Sequence, residues 1–411
     1  MPLDLHIDCS APDGCEPETV TPADEHAGGQ VEKHTETDNS FLPFLPPILD
    51  LIIPHLHRWK LFEVQAELYK CIYTILQRLS QCDRAPILET LHFYHYEDCE
   101  EYEAFEPADL GTAFVLFRGN APKLKNVAFW GVHIDWDASL SMLSGLEQIE
   151  LAYHANNVRP SFDTFSRMLD ACPNLVTLSL CLSGPGSSPN DWGEDPTPIE
   201  IPNLQHLILY NHGPEYVEAL VPLLSVPNLI ELQLDYDDGD FTNFAKLLAK
   251  PRGENKTSIL AGLDHLKIAT LCCNKESKSI ILEQLRDLKA FTINCSGDEE
   301  EFFDKLMELT TPKSKNDAVR VVYCPNLQTI TTTAVDGKKL RKFIEARRRG
   351  GAPIQFVKMS EEDCIDEDDE EWIRDNVQDL EFFDPSSEEE FDDDEDEDDE
   401  GDDLYTVVVQ Q

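Results

Sequence analysis

The sequence predicts an α/β solenoid, a curved parallel sheet of short strands backed by outer helices. Two observations lead there. A phrase Leu-x-x-[Leu/Ile/Val/Phe]-x-[Leu/Phe/Ile/Thr], often introduced by Pro-x or Pro-Asn, recurs from Ala85 to Thr332. Stretches with helical spacing separate the phrases, so strand and helix alternate once per repeat. One strand plus one helix cannot bury its own apolar face, whereas stacked copies share a continuous core. The expected architecture is therefore leucine-rich-repeat-like.

The leading positions are Leu88, Leu124, Leu146, Leu175, Leu204, Leu229, Leu263, Leu288 and Leu327. Apolar residues follow three and five places later, as in Leu178 and Leu180, or Leu232 and Leu234; the last phrase weakens to Ile330 and Thr332. An earlier phrase begins at Trp59. Successive leading leucines are 36, 22, 29, 29, 25, 34, 25 and 39 residues apart. Most spacings lie at or above the usual range of about 20 to 29, so the repeat is irregular and carries insertions. The Asn common about eight places after the leading Leu is missing: position 183 is Ser and position 212 is His. The turn there must be closed by other means.

Helices are expected over Ala66–Leu79, Ser161–Ala171, Pro214–Ser225 and Phe241–Leu248. Residues 1–40 read as a short strand (Leu3, Leu5, Ile7) and a flexible polar insertion from Cys9 to Ser40; residues 41–84 read as a capping region with the first repeat. The solenoid proper spans 85–333. Residues 334–360 form its C-terminal cap, with a basic amphipathic helix over Gly337–Arg349 and a strand over Pro353–Lys358. The helix places Leu340, Phe343 and Ile344 on a packed side. Its cations, Lys338, Lys339, Arg341, Lys342, Arg347, Arg348 and Arg349, form a solvated face expected to meet the acidic tail; a nuclear-import signal is the other reading. Residues 361–411 are that tail. Glu371–Phe383 holds enough apolar residues to dock a short helix and strand, and the chain should be disordered after 386. Ser386 and Ser387, followed by Glu388–Glu390, suit an acid-directed kinase as well as an unmodified tail.

The formal charge of −47 is lopsided, since residues 361–403 hold 27 Asp or Glu against one Arg. Such a surface repels phosphate backbones, which argues against nucleic acid as a partner. No apolar run approaches the roughly 20 residues needed to span a bilayer, and the first residues lack the pattern of a signal peptide. A monomer in the cytoplasm or nucleus is expected. The 12 cysteines contain no Cys-x-x-Cys pair and read as reduced, mostly buried thiols.

Catalysis has no visible home, and neither a cofactor nor a metal is expected. His92-x-x-His95-x-x-Asp98-Cys99 has zinc-ligand residue types, but it straddles a strand and a loop. His6-Ile7-Asp8 and His133-Ile134-Asp135 are chance pairings in a chain with 80 acids and 12 histidines. A partner-binding surface is the stronger expectation. The place after each third apolar residue holds Tyr94, Trp130, Tyr210 and Asp235, projecting to the concave face, and the spacers His206, Glu231 and Gln233 add polar selectivity. The loop Ser183–Pro198 contributes Trp192, as a contact or as a pin for the loop.

The segments RWKLFEV, LHFYHYED, LFRGNAPKLKNVAFWGVHIDW, IELAYHANNVRPSFDTF, CPNLVTLSLCLSGP, VPNLIELQLDYDDGDF and EARRRGGAPIQFVKMSEED closely resemble the fungal F-box proteins with divergent leucine-rich repeats of mushroom-forming fungi. The resemblance runs from residue 3 to about 387. It implies a non-enzymatic substrate receptor, whose F-box grips the adaptor of a cullin-type ubiquitin ligase while the repeats hold an unknown protein target. In similar proteins the F-box precedes the PLDLHIDC segment, which here starts at residue 2. The expectation is a truncated reading frame or a derivative without ligase attachment. Leu45–Leu56 has the look of an F-box opening, with Pro54 interrupting the helix it needs. The alternative is an acidic leucine-rich-repeat chaperone of histones or other basic proteins.

Overall fold

The computed structural model describes residues 1–9, 41–95, 104–105, 107–194, 196–236, 239–252, 257–311 and 318–385. The polar insertion, Asp98 with Cys99, and the phosphorylation and disorder expected at and beyond Ser386 fall outside these residues. The chain divides into two compact units, Met1–Leu146 with Tyr153–Pro160, and Glu147–Ala152 with the residues from Ser161 onward. Both are built as leucine-rich-repeat-like solenoid, parallel strands alternating with helices or turns.

In the first unit the order is β1 (Leu3–Cys9), α1 (Leu45–Ile52), a 3-10 turn (Ile53–Arg58), β2 (Trp59–Ala66), α2 (Tyr69–Ser80), β3 (Thr90–His95), β4 (Asn126–Trp130) and α3 (Trp136–Ser139). The strands pair in parallel in chain order. Register aligns Leu5, Phe62, Leu91 and Val127 in one rung, and Ile7, Val64, Phe93 and Phe129 in the next. Period-two alternation sends these side chains toward the helices. There α2 buries Ile72, Ile75, Leu76 and Leu79, and Trp59 stacks on Phe62 at 4.6 Å. Prolines at the start of α1 suit a helix N-terminus. The helix stops at Ile52, and Pro54 sits in the 3-10 turn that follows.

The second unit runs β5 (Gln148–Ala152), α4 (Phe162–Asp170), β6 (Thr177–Cys181), β7 (Ile199–Glu200), β8 (His206–Tyr210), α5 (Pro214–Leu220), β9 (Leu224–Ser225), β10 (Glu231–Asp235) and α6 (Thr242–Ala249). It continues with β11 (His265–Thr270), α7 (Lys275–Gln284), β12 (Ala290–Asn294), α8 (Glu300–Leu306), β13 (Thr329–Thr333), α9 (Gly337–Arg349), β14 (Phe356–Ser360), α10 (Glu367–Asn376) and β15 (Asp379–Phe383). The main strands are parallel neighbours in chain order, and β7 pairs with β9 in a separate ribbon. Ser161, Asn274, Asp336 and Asp366 each cap a helix by accepting from the backbone N–H three residues on.

Every leading Leu is buried, as are the second and third apolar residues of the phrases. Deleting one such side chain to Ala typically costs about 2–5 kcal/mol, so each phrase is a separate anchor. Pro-Asn recurs for a reason visible only in three dimensions. Asn203 Nδ2 donates to Pro173 O at 2.8 Å, Asn228 Nδ2 to Pro202 O at 2.7 Å, and Asn326 Nδ2 to Arg286 O at 3.0 Å. Each Asn ties its repeat to the one before.

The residue seven places after the leading Leu takes left-handed backbone at Gly131, Tyr153, Leu182, Asn211 and Ala334. This conformation turns the chain out of the strand; Gly131 and, less strongly, Asn211 have residue types that favour it, whereas Tyr153, Leu182 and Ala334 do not. The turn without Asn is closed by His212, whose Nε2 lies 3.2 Å from Leu180 O, and by Tyr216, whose hydroxyl donates to Ser183 O and Pro185 O.

Repetition continues past residue 333. The strand expected at Pro353–Lys358 lies at Phe356–Ser360, and β15 extends the sheet to Phe383. The acidic helix α10 lies against α9: Arg341 Nη1 donates to Asp369 Oδ1 at 2.9 Å, and its guanidinium sits 4.8 Å from the Trp372 ring centre. Arg347 departs from the expected solvated face, being fully buried. Seven of the ten described cysteines are buried. Among the described residues no helix is long and apolar enough to cross a membrane.

Candidate protein-binding face

Side chains on the strand face away from the helices come from alternate positions, and register decides which of them meet. In the first unit His6, Glu63 and His92 are neighbours across β1, β2 and β3. His6 Nδ1 is 3.2 Å from Glu63 Oε1, and His92 Nδ1 is 3.6 Å from Oε2. Gln65 Nε2 donates to Glu63 Oε1 at 3.3 Å. Two residues further along the strands, Tyr94 meets Trp130 edge to face at 5.1 Å, and Trp130 meets Tyr153 at 5.4 Å. The Tyr94 hydroxyl lies 3.3 Å from His92 Nδ1, which links the aromatic row to the acid–imidazole row.

The second unit repeats the arrangement on β8, β10 and β11, where His206, Glu231 and His265 share a register. His206 Nδ1 is 2.9 Å from Glu231 Oε2, and His265 Nδ1 is 3.2 Å from Oε1. Gln233 Nε2 donates to Glu231 Oε1 at 2.9 Å, and the Tyr210 hydroxyl donates to Gln233 Oε1 at 2.7 Å. Each carboxylate is thus held between two imidazoles by a Glu-x-Gln strand. Since a carboxylate only accepts, Nδ1 of His6 and of His206, each within hydrogen-bond distance of its acid, carries the hydrogen.

These contacts tune the acids. Hydrogen bonding from His92 leads in holding the Glu63 carboxyl below the usual range, with burial working against it. At Glu231 burial is the largest single influence and opposes ionisation, but hydrogen bonds from His206, His265 and Gln233 together outweigh it and hold the carboxyl below the usual range. Both acids stay charged at neutral pH.

The expected contact residues therefore fall into two groups. Tyr94 and Trp130 meet in the first unit; His206, Tyr210, Glu231 and Gln233 form one connected set in the second, with Asp235 next along β10. Trp192 is 8% exposed, stacks on Phe162 at 5.3 Å and donates from Nε1 to Gly186 O at 2.9 Å. It pins its loop and is not part of a contact surface. Sequence reasoning missed His6, Glu63, Gln65, His92, Tyr153 and His265. The recurrence of Glu-x-Gln at 63–65 and 231–233 was a signal for them.

The zinc-like pattern does not assemble. His92 faces Glu63 on the open side, whereas His95 is buried on the helix side against the Tyr69 ring at 5.3 Å. Residues three apart on a strand point to opposite faces.

The sequence matches no family model and no curated protein. Among solved structures, the chain is similar to the leucine-rich repeat-containing protein LegL7 from Legionella pneumophila, at 13% identity over 73% of this chain and 83% of that one, with a TM-score of 0.36. It is also similar to a leucine-rich repeat protein from Bacteroides eggerthii, at 9% identity over 75% of this chain and 52% of the other, with a TM-score of 0.29.

Proposed function

We infer that this protein is a non-enzymatic scaffold that holds a protein partner on the strand face away from its helices. The observation that carries this reading is the row Tyr94, Trp130 and Tyr153 beside the His6–Glu63–His92 set, where half-exposed aromatic groups adjoin ordered polar ones. Aromatic anchors beside fixed hydrogen-bonding groups are what protein interfaces concentrate. The finer reading is substrate receptor of a cullin ubiquitin ligase, or a derivative of one, and its support is the resemblance of the repeat segments to F-box proteins.

A feature of α1 makes that finer reading testable. Phe44 and Leu51, two helical turns apart, are 52% and 71% exposed and present apolar surface on one side of Leu45–Ile52. If this segment grips a ligase adaptor, purified adaptor binds the full chain and Leu51→Glu abolishes binding. Adaptor binding that ignores Leu51→Glu, or no binding at all, removes the receptor reading.

The charge of −47 favours one alternative, a chaperone of basic proteins. It predicts salt-sensitive recovery of core histones that is lost on removing residues 386–411. Recovery that survives this truncation counts against it.

A further inference from the structure

We propose that the strand face of β1–β4 recognises an extended segment of a partner protein carrying two cationic side chains, arginine above all, spaced four residues apart. This rests on the reading of that face as the binding surface and names the chemistry it selects.

Charge comes first. The outward positions of β1–β4 carry three carboxylates, Asp4, Asp8 and Glu63, and neither Lys nor Arg. Lys60 lies on the other parity of β2 and faces Glu89 at 3.9 Å. Glu63 is held ionised by its two imidazoles, so the negative charge persists at neutral pH. The chain's own acidic segment, residues 361–403 with 27 acids and one Arg, is repelled from such a face. So is a second copy of a chain with net charge −47. A cationic partner is what remains complementary.

Geometry gives the spacing. Register places Asp8 beside Gln65 and Gln65 beside Tyr94, and Tyr94 touches Trp130. Asp8 and Trp130 are therefore three strand steps apart, about 14 Å at ~4.8 Å per step. An extended peptide lying across the strands advances ~3.4 Å per residue and shows every second side chain to the same face. Residues i and i+4 then stand about 14 Å apart on one side. The first cation meets Asp8. The second meets the aromatic row of Tyr94, Trp130 and Tyr153, half-exposed rings of the kind that attract a guanidinium more strongly than an ammonium ion. Gln65 lies beneath the path between them, and the Glu63 carboxylate stands two residues back along β2 on the same face.

The test uses the full chain and fluorescein-labelled peptides read by anisotropy: Arg at i and i+4 in a Gly/Ser background, Arg at i and i+1, citrulline at i and i+4, and Glu at i and i+4. The expected result is that the i, i+4 arginine peptide binds at least 10-fold tighter than the other three and weakens as salt rises. Asp8→Asn and Trp130→Phe should each weaken it several-fold, while Gln77→Ala on the helix side and removal of residues 386–411 leave it unchanged. Asp8 is exposed, so its substitution does not threaten folding. Equal binding of the citrulline and arginine peptides, or binding lost only with the acidic segment, overturns the proposal. If peptides bind without charge preference yet Trp130→Phe weakens them, the face is a binding surface and only the cation specificity falls. If no substitution on β1–β4 alters any binding, the reading of the face falls with it.

Discussion

Arg347 and Cys324 are joined in the interior of the second unit: Arg347 Nη2 donates to Cys324 O at 2.6 Å, while Nη1 donates to Tyr323 O at 2.9 Å. Cys324 has a positive φ of 46° and opens the Cys-Pro-Asn-Leu phrase. The guanidinium satisfies two carbonyls of a turn that has no ladder partner, and burial lowers its pKa to about 10. Arg347→Met takes the donor from Tyr323 O at about 1–3 kcal/mol, whereas Cys324 O keeps the Leu327 N–H at 3.2 Å, and the loss is partly offset because no charge remains buried. Urea denaturation should show a net loss of roughly 1–3 kcal/mol. Arg347→Lys keeps the charge without the fork and should fall between the two.

His154 is fully buried, and desolvation pushes its pKa down to about 3. Its ring packs edge to face on Trp136 at 5.6 Å. The unfolded chain takes up a proton near pH 6.5 that the folded chain refuses. His154 stability is therefore complete above that pH and lost as pH falls from about 6.5 toward 3, at about 1.4 kcal/mol per pH unit. His154→Gln should flatten this part of the stability–pH curve. An unchanged slope between pH 6 and 4 would refute the assignment.

Glu231 has its folded pKa held below the unfolded value. Its contribution is present above about pH 4.3 and disappears as pH falls through the folded value. Glu231→Gln should therefore be less stable than the parent at pH 7, with the gap closing on acidification below pH 4. Denaturation midpoints across that range measure it.

Trp192→Ala removes a stacked, hydrogen-bonded ring from between Phe162 and Tyr216, with Tyr216 5.4 Å away. A loss of about 3 kcal/mol is expected, with amide exchange quickening first over residues 186–192. Partner binding should be spared, because the ring presents no surface.

Removing residues 361–411 strips α10 and β15 and leaves Arg341 without Asp369 and Trp372. It also uncovers the edge of β14. The melting temperature should drop and its salt dependence should shrink. Unchanged values would mean that the contact between α9 and α10 contributes nothing.

The rungs were legible because burial repeats with a fixed phrase: Leu178, Leu207 and Leu232 announce themselves by position alone. Tyr94 and Trp130 were legible for the same reason, as outward residues at a repeated place. His6 was not, because its partner Glu63 is 57 residues away and only strand register puts them side by side. Trp192 was ambiguous because an aromatic in a loop reads alike whether it faces inward or outward. Arg347 was misplaced for a related cause, since helical spacing puts it among solvent-facing cations while the turn behind α9 supplies two carbonyls.

The chain alone settled that short apolar phrases stack, since a 2-residue and a 3.6-residue periodicity are local properties that no distant contact can change. Which outward side chains stand together was decided by packing. A one-residue slip between two strands would move Glu63 and Glu231 away from their histidines, and nothing near them in sequence prevents it. The rungs prevent it, because only one register buries Phe62 with Leu91, or Leu232 with Leu207.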